Sequence, residues 1–187
     1  MQIKIEKASL PGAFIVVPEL FKDDRGFFSE IYRKDQCEEL GAREFVQLNH
    51  SGSVKNTLRG LHFQWDPPMG KLMRVTRGTA YLVAVDIRKN SPTLGKWFGT
   101  EVSAENRVQV WAPAGFARGF CVLSDYAELQ YLCSGVYNSK AESGILWNDP
   151  ELGIQWPVKD PILSGKDVKA QTIAEWLRTP ESNNFTY

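Results

Sequence analysis

Short runs of alternating hydrophobic and polar residues recur along the chain, separated by glycine, proline, asparagine and aspartate. The runs are rich in β-branched and aromatic residues, which is typical of strands in an all-β sandwich or barrel. The strands predicted in this way are Ala13 to Val17, Gly26 to Arg33, Phe45 to Ser51, Leu58 to Gln64, Lys71 to Thr76, Thr79 to Ile87, Trp97 to Val102, Arg107 to Trp111, Gly119 to Leu123 and Ala127 to Cys133.

Helical periodicity is confined to two short segments. Lys34 to Leu40 predicts one surface helix and Thr172 to Leu177 a second, with Pro180 as a stop signal beyond it. Many strands without alternating helices favour a jelly roll, which closes off the sheet edges. The 187 residues suit one domain, so we expect a single domain over residues 1–187. The tail from Glu181 to Tyr187 is either frayed or pinned against a neighbouring surface.

Composition narrows the class of protein. Hydrophobic residues make up 43% and charged residues 24%, which is typical of a globular protein and excludes disordered or fibrous chains. The 22 basic and 22 acidic residues balance, so the chain lacks the basic excess of a protein that binds duplex nucleic acid. A local positive pocket for a small phosphorylated ligand is still compatible with this balance.

Three cysteines, Cys37, Cys121 and Cys133, form an odd number without CxxC spacing. Such cysteines are typical of free, buried thiols in a reducing compartment. The first twenty residues lack a continuous apolar core of a signal peptide, and no run of about 18 apolar residues could span a membrane. We therefore expect a cytoplasmic protein with neither a membrane nor a nucleic-acid partner.

The chain has two histidines, and His62 lies inside the strand-like run Leu-Arg-Gly-Leu-His-Phe-Gln. Imidazole titrates near neutral pH, so His62 is either a general base or a core histidine satisfied by hydrogen bonds. Strand alternation places Gly60, His62 and Gln64 on one face. Arg59 then points the other way unless Gly60 marks a β-bulge.

Three further residues could act beside His62. Lys71 begins the next strand after a Pro-Pro-Met-Gly turn and is either a solvated strand-end lysine or a cation near the histidine. Tyr131 alternates with apolar residues and is either a core tyrosine or a proton donor facing a cavity. Asp167 lies in a loop, where a carboxylate could orient the imidazole. Three aromatic residues could stack on a base or belong to the core: Tyr137, Trp147 and Trp156.

Metal and cofactor sites have no sequence signal here. Metal sites of jelly rolls usually use two or three histidines with a carboxylate, whereas this chain has only His50 and His62 and no HxH pair. The patterns GxSxG, GxGxxG and GxxxxGK[ST] are missing, which disfavours an acyl hydrolase, a dinucleotide site and a P-loop. We expect a metal-free site without a cofactor.

Several segments match one known family, in order along nearly the whole chain. They are Phe21 to Glu30, Gln47 to Ser51, Leu58 to Gln64, Val85 to Arg88, Ser91 to Thr93, Pro113 to Ala117, Leu123 to Asp125, Gly144 to Pro150 and Leu163 to Asp167. These segments resemble the dTDP-4-dehydrorhamnose 3,5-epimerases of the cupin-like jelly-roll superfamily. The resemblance implies a double-stranded β-helix and a homodimer with exchanged amino-terminal strands.

The resemblance also implies roles for individual residues. His62 would be the general base, oriented by Asp167, with Tyr131 as the proton donor on the opposite face and Lys71 stabilising an enolate. A nucleotide-diphospho-sugar would be held by Arg25, Glu30, Gln47, Asn49, Arg59, Glu142 and Lys166, with Tyr137 stacked on the base, and we add Arg118 to this group. In the 4-keto sugar, hydrogens at C3 and C5 are both α to the carbonyl, so their removal gives an enolate that a lysine can offset. Arginine and lysine suit the diphosphate.

Three positions depart from the family pattern. Arg118 stands where the family usually has histidine, Leu82 where it has aspartate, and Leu132 where it commonly has lysine. These departures leave open an epimerase acting at C3 or C5 alone, or one using another nucleotide such as a CDP-linked sugar. A non-catalytic jelly roll that binds sugar nucleotides is a second class, and a metal-dependent cupin is a third that the histidine count disfavours.

Overall fold

The computed structural model describes residues 3–36, 38–42 and 44–187. Within them the strands are β1 Ile3–Lys7, β2 Phe14–Pro18, β3 Phe21–Asp23, β4 Gly26–Phe28, β5 Gln47–Val54, β6 Leu58–Gln64, β7 Lys71–Arg77, β8 Thr79–Asp86, β9 Trp97–Ser103, β10 Gln109–Ala112, β11 Phe116–Val122, β12 Tyr126–Cys133 and β13 Glu142–Gly144. The α-helices are α1 Gly165–Val168 and α2 Ile173–Arg178, and 3₁₀ turns occupy Lys34–Gln36 and Pro180–Asn184.

Two antiparallel sheets form the body of the protein. One has six strands in the order β1-β2-β10-β7-β12-β5, and the other has five in the order β13-β6-β11-β8-β9. Strands β3 and β4 form a separate hairpin. Chain-adjacent strands such as β6 and β7 lie in different sheets, as in a jelly roll. The prediction of an all-β jelly roll is confirmed.

Side-chain alternation divides the core into two layers. Along β8, Leu82 and Ala84 face the other sheet and pack with Met73, Phe120 and Leu129. The intervening residues of β8, Val83 and Val85, face outward and are covered by a second cluster. The side chains that provide this cover are Phe63, Ile173, Trp176 and Phe185.

The carboxyl-terminal segment is pinned rather than frayed. Phe185 is 3% exposed and packs against Phe63 and Trp176. The Lys89 amide donates to the Phe185 carbonyl at 2.8 Å, and the Tyr187 amide donates to the Lys89 carbonyl at 3.0 Å. Of the two interpretations left open by the sequence, the structure supports the pinned tail.

Two sequence predictions of local structure are wrong. The strand predicted from Gly26 to Arg33 ends at Phe28, and the described residues of the helix predicted from Lys34 to Leu40 form the 3₁₀ turn Lys34–Gln36 and a turn over residues 38–40. The Ser29 side chain donates to the Glu19 carbonyl at 2.7 Å, which fixes the segment after β4 against the preceding loop instead of a strand partner. Hydrophobic periodicity therefore predicted more regular secondary structure after β4 than the described residues form.

Two of the three cysteines lie in the described part of the chain. Cys121 and Cys133 are buried and unpaired, as predicted, while Cys37 lies outside the described residues. In the described part of the chain, no helix combines the length and apolar character that a membrane crossing requires.

Candidate active site

A cavity of about 240 Å³ opens between the two sheets. The five-stranded sheet contributes residues of β6, β11 and β13, and the six-stranded sheet contributes residues of β7 and β12. The lining side chains and backbone belong to Arg59, His62, Lys71, Met73, Arg118, Gly119, Phe120, Leu129, Tyr131 and Glu142. The cavity therefore has a charged part and an apolar part made by residues of the inner core.

An irregularity in β6 explains how both Arg59 and His62 reach this cavity. His62 pairs with Arg118 of β11, but Arg59 pairs with Phe120, so three steps along β6 match two along β11. One extra residue in β6 reverses the alternation, as in a β-bulge. The alternative that Gly60 marks a bulge, which the sequence left open, is the one found.

Gly60 fits this bulge because its backbone lies against β11. Its φ is +133°, a conformation that favours glycine, and a Cβ placed there would lie 2.5 Å from the Gly119 Cα. Gly119 is also tightly packed, since a Cβ there would lie 2.8 Å from the Arg59 carbonyl oxygen. Two glycines thus let β6 and β11 approach closely beside His62.

His62 and Asp167 form a hydrogen-bonded pair. The His62 Nε2 lies 2.6 Å from Asp167 Oδ1, although the residues are 105 positions apart. Burial raises the pKa of Asp167, but hydrogen bonds from His62, Ser164 and the Gly60 backbone outweigh it and lower the pKa overall. The carboxylate is therefore ionised and accepts the Nε2 proton, which leaves Nδ1 as the basic atom of the ring.

The helix α1 holds Asp167 in place. Ser164 is its N-cap: the hydroxyl accepts from the Asp167 amide at 3.1 Å and donates to Asp167 Oδ2 at 2.8 Å. Asp167 is 3% exposed. Sequence reasoning missed Ser164, although Ser-x-x-Asp is a known signature of a helix start.

Lys71 and Tyr131 face the His62 pair from the other sheet. The Lys71 Nζ lies 5.1 Å from the centre of the Tyr131 ring. Burial first, and the charge of Arg118 second, lower the pKa of the Lys71 ammonium to about 8. Burial also raises the pKa of the Tyr131 phenol, which keeps it protonated at neutral pH.

A chain of hydrogen bonds links five polar residues predicted from the sequence. Gln47 donates to Asn49 at 2.8 Å and accepts from the Tyr137 amide at 2.9 Å. The Tyr137 hydroxyl donates to Glu142 at 3.0 Å, and Glu142 also accepts from Lys166. Since Glu142 lines the cavity and Tyr137 is exposed, this chain leads from the cavity to the surface.

Arg118 and Leu82 lie on adjacent strands of the five-stranded sheet. Arg118 is 3% exposed and donates to the carbonyls of Met69 and Pro113, the latter at 2.9 Å. Leu82 pairs with Phe120 rather than with Arg118 and belongs to the inner core. The side chain at position 82 is therefore apolar packing, not a partner of the guanidinium.

Four sequence candidates lie away from the cavity. Arg25 is bonded to Asp23 at the tip of the β3–β4 hairpin with its side chain 91% exposed, and Glu30 pairs with Arg33 at 3.2 Å. Trp156 packs on the outer core and donates to the Trp147 carbonyl at 2.8 Å, and neither indole lines the cavity.

The cavity also contains residues that the sequence did not single out. Met73, Phe120 and Leu129 form its apolar part, and alternation gave no means to separate them from ordinary core residues. Among the described residues, no three histidine, cysteine, aspartate or glutamate side chains come together as a possible metal site.

Comparisons with known proteins agree with one another. The sequence profile of the dTDP-4-dehydrorhamnose 3,5-epimerase family matches residues 7–175. The chain is 49% identical over 176 residues to the dTDP-4-dehydrorhamnose 3,5-epimerase of Shigella flexneri, covering 92% of this chain and 97% of that protein. It is also 38% identical over 176 residues to the dTDP-4-dehydrorhamnose 3-epimerase of Streptomyces niveus, covering 92% and 85%.

Solved structures extend the similarity to the fold. A crystal structure of dTDP-6-deoxy-D-glucose-3,5-epimerase from Legionella pneumophila, in complex with dTDP-4-keto-L-rhamnose, superposes with a TM-score of 0.91. The two chains are 41% identical, with 97% of each covered. With the profile covering most of the chain and relatives matched over almost their full length, the protein belongs to the dTDP-4-dehydrorhamnose 3,5-epimerase family.

Proposed function

We propose that the protein is a cofactor-independent epimerase that converts dTDP-4-dehydro-6-deoxy-D-glucose to dTDP-4-dehydro-L-rhamnose. The observation that carries this proposal is the placement of His62 and Asp167 on one side of a cavity, with Lys71 and Tyr131 on the other. Inversion at carbon needs proton removal on one face of the sugar ring and proton delivery on the opposite face. The two sheets supply these two faces.

His62 removes the proton in this mechanism. Because Nε2 is held by the Asp167 carboxylate, Nδ1 carries the lone pair that accepts hydrogen from C3 or C5 of the sugar. The electron pair of the broken C–H bond forms a C=C bond to C4, and the π pair of the carbonyl moves onto the C4 oxygen, which gives the enolate. The ammonium of Lys71, buried in the same cavity, offsets the developing negative charge.

Tyr131 delivers the proton that completes the inversion. Its hydroxyl approaches from the six-stranded sheet, across the ring from His62. After transfer, His62 carries the extra proton and Tyr131 has lost one, and exchange with solvent resets both groups. All bonds made and broken in this sequence involve the sugar, His62 and Tyr131, so the reaction requires neither metal nor cofactor.

The nucleotide part of the substrate lies along the polar chain at the cavity mouth. Tyr137, which is 53% exposed, presents its ring for stacking on the base, while Arg59 and Lys166 suit the diphosphate. We further propose a cytoplasmic homodimer with exchanged amino-terminal strands. The exposed β3–β4 hairpin would then bring Arg25, and the following segment Glu30, to the site of the neighbouring subunit.

Incubation with the 4-keto sugar nucleotide in deuterated water tests the reaction directly. NMR should locate deuterium at both C3 and C5, because each inverted carbon takes its new hydrogen from a solvent-exchanged group. Absence of deuterium at both carbons, with every nucleotide form supplied, would contradict the proposal.

A single-site epimerase is the second candidate. It rests on two observations: a 3-epimerase of Streptomyces niveus is 38% identical to the chain, and Arg118 lines the cavity at a position where the resembled family usually has histidine. Deuterium at only one carbon would support this candidate. Parallel reactions with dTDP-linked and CDP-linked sugars identify the preferred nucleotide.

A non-catalytic sugar-nucleotide binding protein is distinguished by His62→Asn. If His62 is the base, the variant should lose deuterium exchange and still bind dTDP with the affinity of the wild type. Exchange at the wild-type rate in the variant would assign the base elsewhere.

A further inference from the structure

Arg118 is a buried cation with an unusual set of contacts. Its Nη2 donates to the carbonyls of Met69 and Pro113, which fixes the guanidinium between the loops that precede β7 and β11. Its Nε and Nη1 are enclosed and have no hydrogen-bond partner among the described residues. The residue lines the cavity that also contains His62, Lys71 and Tyr131.

Among the described residues, no carboxylate forms an ion pair with Arg118. Glu142 reaches the same cavity, but it is already bonded to Lys166 and Tyr137. The side chain at position 82, two residues along β8 from the Arg118 pairing partner Ala84, is leucine in the inner core. Although burial lowers the pKa of the guanidinium to about 10, Arg118 is still protonated at neutral pH.

Unpaired donors on a buried charge are costly, and a protein usually satisfies them with a partner or a ligand. Two cations, Arg118 and Lys71, are close enough for the charge of one to lower the pKa of the other. An anionic or electron-rich oxygen placed between them would satisfy the free N–H groups and separate the two charges. The proposed reaction generates such an oxygen.

We propose that Arg118 is a catalytic residue that donates through its free N–H groups to the C4 oxygen of the sugar, as a ketone and more strongly as an enolate. This inference rests on the proposed function and adds a second oxyanion donor beside Lys71. No bond to Arg118 forms or breaks: the C–H electron pair forms the C=C bond of the enolate, the π pair of the carbonyl moves onto the C4 oxygen, and the proton goes to His62.

The alternative is a purely structural clamp on Met69 and Pro113. A structural clamp and an oxyanion donor predict different effects on folding and on ligand binding. A clamp would affect folding and all ligand binding together, whereas an oxyanion donor acts on the keto sugar and leaves a nucleotide without sugar unaffected. Measurements on Arg118→Gln separate these outcomes, with Arg77→Gln as a control because Arg77 is exposed and lies at the far end of β7.

In Arg118→Gln we expect the rate of deuterium exchange into the sugar to fall on the order of 10²-fold or more, as for loss of an oxyanion donor. The dissociation constant for dTDP should stay within about twofold of the wild type, since dTDP has no C4 ketone. Arg77→Gln should match the wild type in both measurements. Unchanged exchange in folded Arg118→Gln, or an equal loss of dTDP affinity and exchange, overturns the inference.

The pH profile tests a separate premise, that Arg118 lies close enough to Lys71 for both cations to donate to one oxygen. The titratable or charged groups that act on Lys71 are Arg118 from β11, Cys133 and Tyr131 from β12, and Glu142 from β13. Removing the positive charge of Arg118 raises the pKa of Lys71, so the alkaline limb of kcat/KM should shift to higher pH in Arg118→Gln. An unmoved limb also counts against the inference.

The same measurements remain informative if Arg118→Gln does not fold or if the wild type is inactive. If Arg118→Gln does not fold, Arg118→Lys keeps the charge but not the planar donors, and should show the same separation of exchange from dTDP binding. If the wild type exchanges no deuterium at all, the proposed function fails and this inference fails with it. Exchange in the wild type together with an unaffected variant contradicts the inference alone.

Discussion

At the scale of single residues, the orientation and tautomer of His62 depend on a carboxylate that does not take part in the proton transfers. Asp167→Asn should lower kcat on the order of 10²- to 10⁴-fold, because an amide no longer fixes the ring tautomer that leaves Nδ1 free. Steady-state kinetics and deuterium exchange measure the loss. Asp125→Asn is the matched control, since that side chain is 98% exposed and its only described partner is Lys55. Equal kinetics of Asp167→Asn and the control would show that Asp167 does not orient the base.

Lys71 makes the activity sensitive to alkaline pH. Its ammonium, with a pKa of about 8, is charged below this pH and neutral above it. Since the charged form stabilises the enolate, kcat/KM should fall about tenfold per pH unit above roughly pH 8. The raised pKa of Tyr131 keeps the phenol from ionising in the same range. A profile that is flat to pH 10 would contradict the role of Lys71.

The bulge at Gly60 lets the side chains of Arg59 and His62 point into the same cavity. Gly60→Ala should reduce the free energy of unfolding by about 2 to 3 kcal/mol, since the added Cβ meets the Gly119 backbone at a φ of +133°. Urea denaturation measures the loss, and deuterium exchange should also fall because His62 shifts. Gly165→Ala is the control: nothing lies within 4 Å of its Cβ position, so no loss of stability is expected. A Gly60→Ala protein as stable and active as the control would mean that the bulge adapts freely.

At the scale of elements, alternation predicted the central strands well. Leu58 to Gln64 has the predicted bounds, and the strands that begin at Lys71, Thr79 and Trp97 start where predicted. These strands are rich in apolar residues because each packs on the inner or the outer core, and β8 packs on both. Strand β13 and helix α1 were missed, because three or four residues are too short to show a period.

The site could be predicted only in part, because its residues are distant in the sequence and one of them depends on a bulge. Residue types and family segments pointed to His62, Lys71, Tyr131 and Asp167, but no local pattern brings residues 62 and 167 together. Their meeting depends on α1 docking on β6. The direction of Arg59 depended on a bulge, which one glycine in a strand suggests without establishing.

The pinned carboxyl-terminal tail should contribute measurably to the free energy of unfolding. Phe185→Ala should lower the free energy of unfolding by about 3 kcal/mol, because it removes a ring enclosed by Phe63 and Trp176. Urea denaturation followed by tryptophan fluorescence measures this change. Val168→Ala is the control, since Val168 is 56% exposed and should change stability by less than about 0.5 kcal/mol. Equal stability of the two variants would show that the tail contributes little to the outer core.

At the scale of the whole molecule, the proposed dimer makes a prediction about shared sites. If Arg25 acts in the neighbouring subunit, co-expression of Arg25→Ala with His62→Asn should restore activity that neither variant has alone. Random pairing would give roughly a quarter of the wild-type activity, from one intact site in each mixed dimer. No recovery in a mixture shown to contain mixed dimers would place Arg25 outside the partner's site. Each variant mixed with itself provides the control.

The cavity interrupts the layer of side chains that joins the two sheets, and Met73, Phe120 and Leu129 belong both to its wall and to that layer. If the sugar ring binds in this cavity as proposed, it completes the packing between the sheets as well as entering the reaction. A ligand that binds only the folded state, present at 100 times its dissociation constant, adds about 2.7 kcal/mol to the free energy of unfolding. The temperature of thermal unfolding should therefore rise with the concentration of the proposed substrate, which differential scanning fluorimetry can measure.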